Sequence, residues 1–186
     1  MSHYLDILLR SDPEIAPHQL MAALYSKLHL ALVQLDSSTL GVSFPGYTEK
    51  PASLGDRLRV LGPEADLQRL LALPWRGGLQ DHIHLSTVGV IPPQAGYRRL
   101  SRVQAKSSPE RLRRRQMKRH GLTVEEAKAR VPDSCAETLT LPFVVMRSAS
   151  TAQTFQLFLR CMPVAAAVEG TFNTYGLSAT ATVPWF

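Results

Sequence analysis

Pro17-His18-Gln19-Leu20-Met21-Ala22-Ala23-Leu24-Tyr25-Ser26-Lys27-Leu28-His29-Leu30-Ala31-Leu32-Val33-Gln34 decides how the first half of the chain folds. Leu20, Met21, Leu24, Leu28, Leu32 and the following Leu35 recur every three or four residues, the spacing of an amphipathic helix with one apolar stripe. On its N-terminal side, residues 3–9 alternate imperfectly and stop at Ser11-Asp12-Pro13, as a strand does. On its C-terminal side, residues 40–44 and 57–61 read as two strands joined through the Pro45-Gly46 turn and a polar loop. Residues 64–73 read as a second helix stopped by Pro74, and residues 82–90 as a fourth strand closed by Pro92-Pro93. The order β-α-β-β-α-β is the ferredoxin-like pattern, an antiparallel sheet with two helices on one face.

Beyond Gly96 the composition shifts. A linker, residues 97–106, leads into a basic segment, and the window 98–119 holds ten of the chain's 21 Lys and Arg but one of its 15 Asp and Glu, so the rest of the chain is net negative. Ser108 suits an N-cap, Pro109 the first helical position, and Gly121 a left-handed stop after His120. Within that helix Arg111, Arg114, Arg115, Lys118 and Arg119 fall on one face, which repels itself unless an anion lies against it. Leu112 and Met117 are too few to dock it firmly on a core. Thr123 and Glu126 form a capping box for a short helix ending before Pro132, and residues 142–148 and 154–161 read as strands. The fold class expected is α+β: a ferredoxin-like domain over residues 1–95, and a smaller αβ domain over residues 96–186 that carries the arginine-rich helix.

With 186 residues and 45% hydrophobic composition the chain can bury a sizeable core, and a net charge of +6 points to a polyanionic partner. Arg-rich, single-signed charge favours nucleic acid, because guanidinium forks match phosphates and guanine edges. Cys135 and Cys161 lack CxxC spacing, so neither a disulfide framework nor a zinc knuckle is expected. No apolar run reaches membrane-spanning length and the first residues lack a signal-like pattern, so a cytoplasmic protein without a membrane partner is expected.

The acidic residues are scattered, and the adjacent Glu125-Glu126 lie in a capping position, so a carboxylate-held metal pair is not expected. His82 and His84 share a strand face without a third ligand in view and read as surface or structural residues. No metal and no cofactor is expected. RNA offers a route without metal, in which its own 2′-hydroxyl attacks the adjacent phosphate. A neutral imidazole can start that step as general base, which contributes about 10²- to 10⁴-fold. His29, at the edge of the apolar stripe with Tyr25 one turn behind, is the candidate base, although on the residues alone a structural histidine is the favoured reading there.

Several separate motifs, in order along nearly the whole chain, carry a resemblance. They are His3-Tyr4-Leu5-Asp6-Ile7, Lys27-Leu28-His29, Gly41-Val42-Ser43-Phe44-Pro45, Ser101-Arg102-Val103-Gln104-Ala105-Lys106-Ser107 and Arg113-Arg114-Arg115. Leu141-Pro142-Phe143, Arg147-Ser148, Tyr175-Gly176-Leu177-Ser178 and Val183-Pro184-Trp185-Phe186 complete the set. In these the chain resembles the type I-F CRISPR repeat-processing endoribonucleases. The resemblance implies a ferredoxin-like domain joined to one whose arginine-rich helix enters the major groove of the repeat hairpin, with metal-free cleavage below the stem and retention of the product. It implies that His29 is the general base, Ser148 positions the 2′-hydroxyl, and Tyr175 orients the histidine or the nucleotide. Arg102 and Gln104 would read the last base pairs of the stem, Arg115 a guanine near the loop, and Phe155 would stack on the terminal pair. Lys106, Arg111, Arg114, Lys118, Arg119 and His120 would complete the RNA-binding surface. Gln116 and Lys118 depart from the family pattern, where an apolar residue and an arginine stand. The partners implied are the CRISPR repeat RNA stem-loop and the other subunits of the type I-F crRNA-guided surveillance complex. A non-catalytic RNA-binding subunit and a DNA-binding regulator are the competing readings, the second weakened by the lack of a helix-turn-helix pattern.

Overall fold

A computed structural model describes residues 1–104, 109–133, 139–148 and 151–186. They form a mixed α/β structure of helices and antiparallel sheets, in two compact units: Met1–Val103 with Leu141–Phe186, and Gln104–Thr140. These units cut the chain differently from the division at residue 95.

In the larger unit, helix α1 runs over Pro17–Leu35, with proline at its first position and Asp36 in the left-handed conformation (φ 49°) closing it. Its apolar stripe is buried as the spacing requires: Leu24 and Leu28 are fully covered and Leu20, Met21 and Leu32 nearly so. The first sheet has the strand order β2 (Gly41–Ser43), β5 (Arg57–Gly62), β1 (His3–Leu9), β6 (Ile83–Leu85), every neighbour antiparallel. Helix α2 covers Glu64–Ala72, and a short hairpin, β3 (Thr48–Glu49) and β4 (Ala52–Ser53), occupies the polar loop before β5.

The expected strand over residues 82–90 is in fact broken. His82 ends a 3₁₀ turn (Gln80–His82), β6 pairs with the C-terminal end of β1, and β7 (Gly89–Val90) pairs with its N-terminal end. Ser86 causes the break. Its hydroxyl accepts from the Asp6 amide at 2.9 Å, so a side chain takes the place of a ladder carbonyl. His82 therefore does not share a strand face with His84; its Nδ1 lies 3.1 Å from Asp12 Oδ2.

The second sheet has the order β11 (Val183–Trp185), β8 (Gly96–Val103), β10 (Thr154–Val164), β9 (Phe143–Arg147). Here residues 96–103, with 97–103 read from the sequence as part of a linker, form a central strand. Leu100 is buried opposite Cys161, and the Arg98 guanidinium lies 4.3 Å from the Trp185 ring centroid. Long arginine stems cover apolar surface while their heads stay polar, and Leu100 alone of this strand is fully buried, so no clean alternation marks it. Val144, Met146, Leu157 and Leu159 of this sheet belong to the same buried cluster as Leu5, Ile7, Leu24 and Leu28. Both sheets thus share one core, and α1 packs against β9.

The smaller unit pairs helix α3 (Pro109–His120) with α4 (Val124–Arg130). Gly121 adopts φ +63° and donates its amide to Met117 O at 2.9 Å, the stop that its position predicts. The capping box forms: Thr123 Oγ1 accepts from Glu126 N at 3.2 Å, and Glu126 Oε2 from Thr123 N at 2.9 Å. Lys106, the cap Ser108 and Cys135 lie outside the described residues.

Candidate active site and RNA-binding surface

Two residues one turn apart on α1 hold a loop from the C-terminal region. The Tyr25 hydroxyl donates to the Tyr175 carbonyl at 2.7 Å, and His29 Nδ1 lies 2.8 Å from the Thr174 carbonyl. A carbonyl only accepts, so Nδ1 carries the proton. In the neutral ring Nε2 is then the unprotonated nitrogen, with its lone pair available. The Tyr175 ring stacks on the imidazole, with centroids 3.9 Å apart and planes 2° from parallel. Bond and stack together fix both the tautomer and the tilt of the ring.

The loop's own sequence explains its shape. Asn173 Oδ1 accepts from the amides of Tyr175 (2.9 Å) and Leu177 (3.1 Å), and Gly176 takes φ +70°. The Gly176 carbonyl accepts from the Val42 amide at 2.9 Å, which ties the loop to β2. Tyr25 is fully buried, and burial, with Tyr175 alongside, holds its phenol protonated well above the ordinary range, so it stays a donor.

Ser148 approaches from the other side. It follows β9, donates its amide to Gln153 O at 2.8 Å, accepts from Ala152 N at 2.9 Å on its carbonyl, and accepts from Thr151 N at 3.2 Å on its hydroxyl. A pocket of about 670 Å³ brings the parts together, lined by Ser26, His29, Leu30, Met146, Arg147, Ser148, Ala152, Phe155 and Tyr175. His29, Ser148, Tyr175 and Phe155, which the sequence names from four separate segments, therefore meet in one cavity. Phe155 is half-buried there, with the Arg102 guanidinium 5.5 Å from its ring centroid at the exposed end of β8.

The remaining residues named from the sequence lie in the smaller unit. Gln104 is exposed, as are Arg111, Arg114, Arg115, Lys118, Arg119 and His120 of α3. Arg113 differs: its Nε donates to Val131 O at 2.8 Å and its Nη2 to Asp133 at 2.6 Å, which fastens α3 beside α4 and leaves the exposed basic residues facing solvent. Sequence reasoning missed four contributors, Thr174, Asn173, Ser26 and Arg147. Thr174 acts through a backbone carbonyl, which has no signal in residue type, whereas Asn173 shapes its own loop through a bond to the amide two residues on, the turn that asparagine favours. Among the described residues no group of three His, Cys, Asp or Glu is arranged to hold a metal ion, and no helix is long and apolar enough to cross a membrane.

Residues 4–186 match the family model described as CRISPR-associated protein (Cas_Csy4), and the chain belongs to that family, the one its motifs resemble. It is 54% identical to CRISPR-associated endonuclease Cas6/Csy4 of Pseudomonas aeruginosa (strain UCBPP-PA14), with 100% of both chains covered. To the protein of the same description from Escherichia coli (strain UTI89 / UPEC) it is 45% identical, again over 100% of both. A solved structure of an RAMP protein binding different RNA substrates aligns over 98% of this chain and 99% of that one, at 10% identity and a TM-score of 0.34, which is too distant to bear on fold or function.

Proposed function

We propose that this protein is a metal-independent, hairpin-specific endoribonuclease that cleaves CRISPR precursor RNA within its repeats and stays bound to the mature product. The observation that carries the chemistry is the His29 Nδ1–H bond to the Thr174 carbonyl, which leaves Nε2 as a lone pair in the pocket that Ser148 also lines. His29 takes the proton of the 2′-hydroxyl, the 2′-oxygen attacks the adjacent phosphorus, and the P–O5′ bond breaks. The ends are a 2′,3′-cyclic phosphate and a 5′-hydroxyl. Ser148 holds the 2′-hydroxyl in line, and Tyr175 holds the imidazole. The leaving 5′-oxygen takes a proton from the imidazolium or from water, so bonds and protons balance without a metal or cofactor in the step.

Recognition in this reading falls to the basic residues. Phe155 stacks on the last base pair, Arg102 and Gln104 read bases at the end of the stem, and Arg115 reads a guanine. Lys106, Arg111, Arg114, Lys118, Arg119 and His120 grip phosphates. Regular A-form RNA presents its bases in a deep, narrow major groove, so base reading concentrates near the ends of the stem. The ferredoxin-like architecture of residues 1–95 is supported by the strand order and antiparallel pairing of the first sheet. Those residues contribute the base, and residues 96–186 the other site residues. The product-bound protein would sit in the cytoplasm as a subunit of the type I-F surveillance complex. A pocket built around a histidine of defined tautomer, in a chain that also carries an arginine-rich helix, favours an enzyme over a binding-only subunit.

The test is incubation with a synthetic hairpin of the host's own CRISPR repeat in EDTA, with product ends analysed. A single cut giving cyclic-phosphate and 5′-hydroxyl ends is expected, with His29→Ala binding the hairpin as wild type does and failing to cut. Undiminished cutting by His29→Ala would refute the assignment.

A further inference from the structure

In-line attack on a phosphodiester builds negative charge on the non-bridging oxygens, and a general base does nothing to offset it. Removing one preorganised donor from such a site costs about 10²- to 10³-fold in rate. The pocket therefore needs a cation or donor aimed at the phosphate. Its lining contains one permanently charged side chain, Arg147; the others are neutral or, for His29, committed to the proton transfer.

We propose that Arg147 is a catalytic residue which binds the scissile phosphate and stabilises the charge that develops on it. The inference rests on the endoribonuclease reading given above. Three features support it. Arg147 is exposed at the end of β9 and lines the same pocket as Ser148, so a phosphate beside the Ser148 hydroxyl would lie in one cavity with its guanidinium. Its Nε donates to the Ala152 carbonyl at 3.2 Å, which sets the plane of the guanidinium while using one of its five N–H donors. The two Nη groups form the fork that matches two phosphate oxygens. Third, Ala152 sits at φ +55°, a left-handed conformation that an alanine rarely adopts. Ser148 bonds to it and to its neighbour, accepting from the Ala152 amide and donating its own amide to Gln153 O. Strain of this kind persists where the surroundings over-determine it, and here it fixes the two residues of one phosphate site. Arg147 supplies no proton. The 2′-hydroxyl proton goes to His29, and the leaving 5′-oxygen takes a proton from the imidazolium or from water.

Single-turnover cleavage of the host repeat hairpin is measured for wild type, Arg147→Ala, Arg147→Lys and His29→Ala. Affinity is measured in parallel with a hairpin carrying a 2′-deoxy nucleotide at the cut. Arg147→Ala is expected to lose about 10²- to 10³-fold in rate with affinity within about threefold of wild type. Added guanidinium ion at millimolar concentration should restore part of that rate in Arg147→Ala and none in His29→Ala. Arg147→Lys, with charge but no fork, should fall between. A wild-type rate in Arg147→Ala overturns the proposal. So does a loss that guanidinium leaves untouched and that the 2′-deoxy affinity shares, which would assign Arg147 to binding or to the turn. If wild type fails to cut, or His29→Ala cuts, the parent reading falls and this proposal with it; a dead His29→Ala beside a fully active Arg147→Ala removes the arginine's role alone.

Discussion

The hydroxyl of Tyr25 donates to the carbonyl of Tyr175 at 2.7 Å, one helical turn before His29 reaches the neighbouring carbonyl of Thr174. One rigid helix thus holds two successive carbonyls of the loop whose tyrosine stacks on the base. Tyr25→Phe keeps the buried ring and removes only the donor. It is expected to cost about 1 kcal/mol of stability, the usual net value of such a bond, with the deserted carbonyl as the main penalty. Cleavage should slow a few-fold as the stack loosens, while hairpin affinity stays unchanged. Thermal unfolding and single-turnover kinetics together check this, and an unchanged rate would show that the His29 bond alone holds the loop.

Gly176 has two reasons to be glycine. Its φ of +70° disfavours any L side chain, and a Cβ there would lie 2.6 Å from Val42 Cγ1 and 3.2 Å from the Val42 amide nitrogen. The left-handed conformation alone costs an alanine about 1 to 2 kcal/mol, and the clash with the backbone of β2 adds to it. Gly176→Ala should therefore lower the melting temperature and, by pushing Tyr175 off the imidazole, reduce cleavage more than Tyr25→Phe does. Equal rates for the two variants would mean that the loop absorbs the shift without moving its ring.

Along α3 the bidentate and point-charge residues should separate in their salt dependence. Arg115→Ala is expected to cost about 1 to 3 kcal/mol of hairpin affinity and to relax base preference. Lys118→Ala should lower affinity evenly across sequences and reduce the slope of log K against log salt by about 0.7 to 1 unit. Titrations at several salt concentrations with cognate and base-substituted hairpins distinguish them. Identical behaviour in both variants would show that the helix follows backbone only.

Much of this was legible in the chain because it depends on periodicity or local chemistry. The stripe of α1 needs only apolar side chains at the right spacing, and the cap at Thr123 and the stop at Gly121 are set by residues within one turn. β8 was illegible for the opposite reason: its neighbours, β10 and β11, lie some 55 to 89 positions later in sequence, and its arginine-rich residues show no clean burial alternation. The break between β6 and β7 depends on a serine hydroxyl meeting a backbone amide 80 residues away, which no local pattern encodes. The site divides in the same way. His29, Ser148, Tyr175 and Phe155 follow from the resemblance, whereas the Thr174 carbonyl that selects the imidazole tautomer is a backbone atom and leaves no mark on the sequence.

Stability at high pH should follow two tyrosines, the half-buried Tyr47 and the buried Tyr25. Tyr47 shares its single hydroxyl proton between Glu49 Oε1 at 3.1 Å and the Leu159 carbonyl at 3.2 Å, a link from the β2–β3 loop to β10. Burial, and then the hydrogen bond to Glu49, push its pKa up to about 12 from the ordinary 10.0. The folded state therefore keeps a proton that the unfolded chain releases. The stabilisation is fully present below pH 10 and is lost as the pH rises through about 12, so the unfolded state binds fewer protons in that window and stability must fall with pH. Tyr25, raised in the same direction, adds to the fall. Denaturant unfolding between pH 8 and about 12 should show a plateau followed by a decline that begins near the ordinary tyrosine value. Tyr47→Phe should be less stable than wild type on the plateau, where its shared hydrogen bond is missing, and should decline less steeply above it. A variant curve parallel to that of wild type across the whole range would show that the Tyr47 phenol ionises equally easily in the folded and unfolded chain.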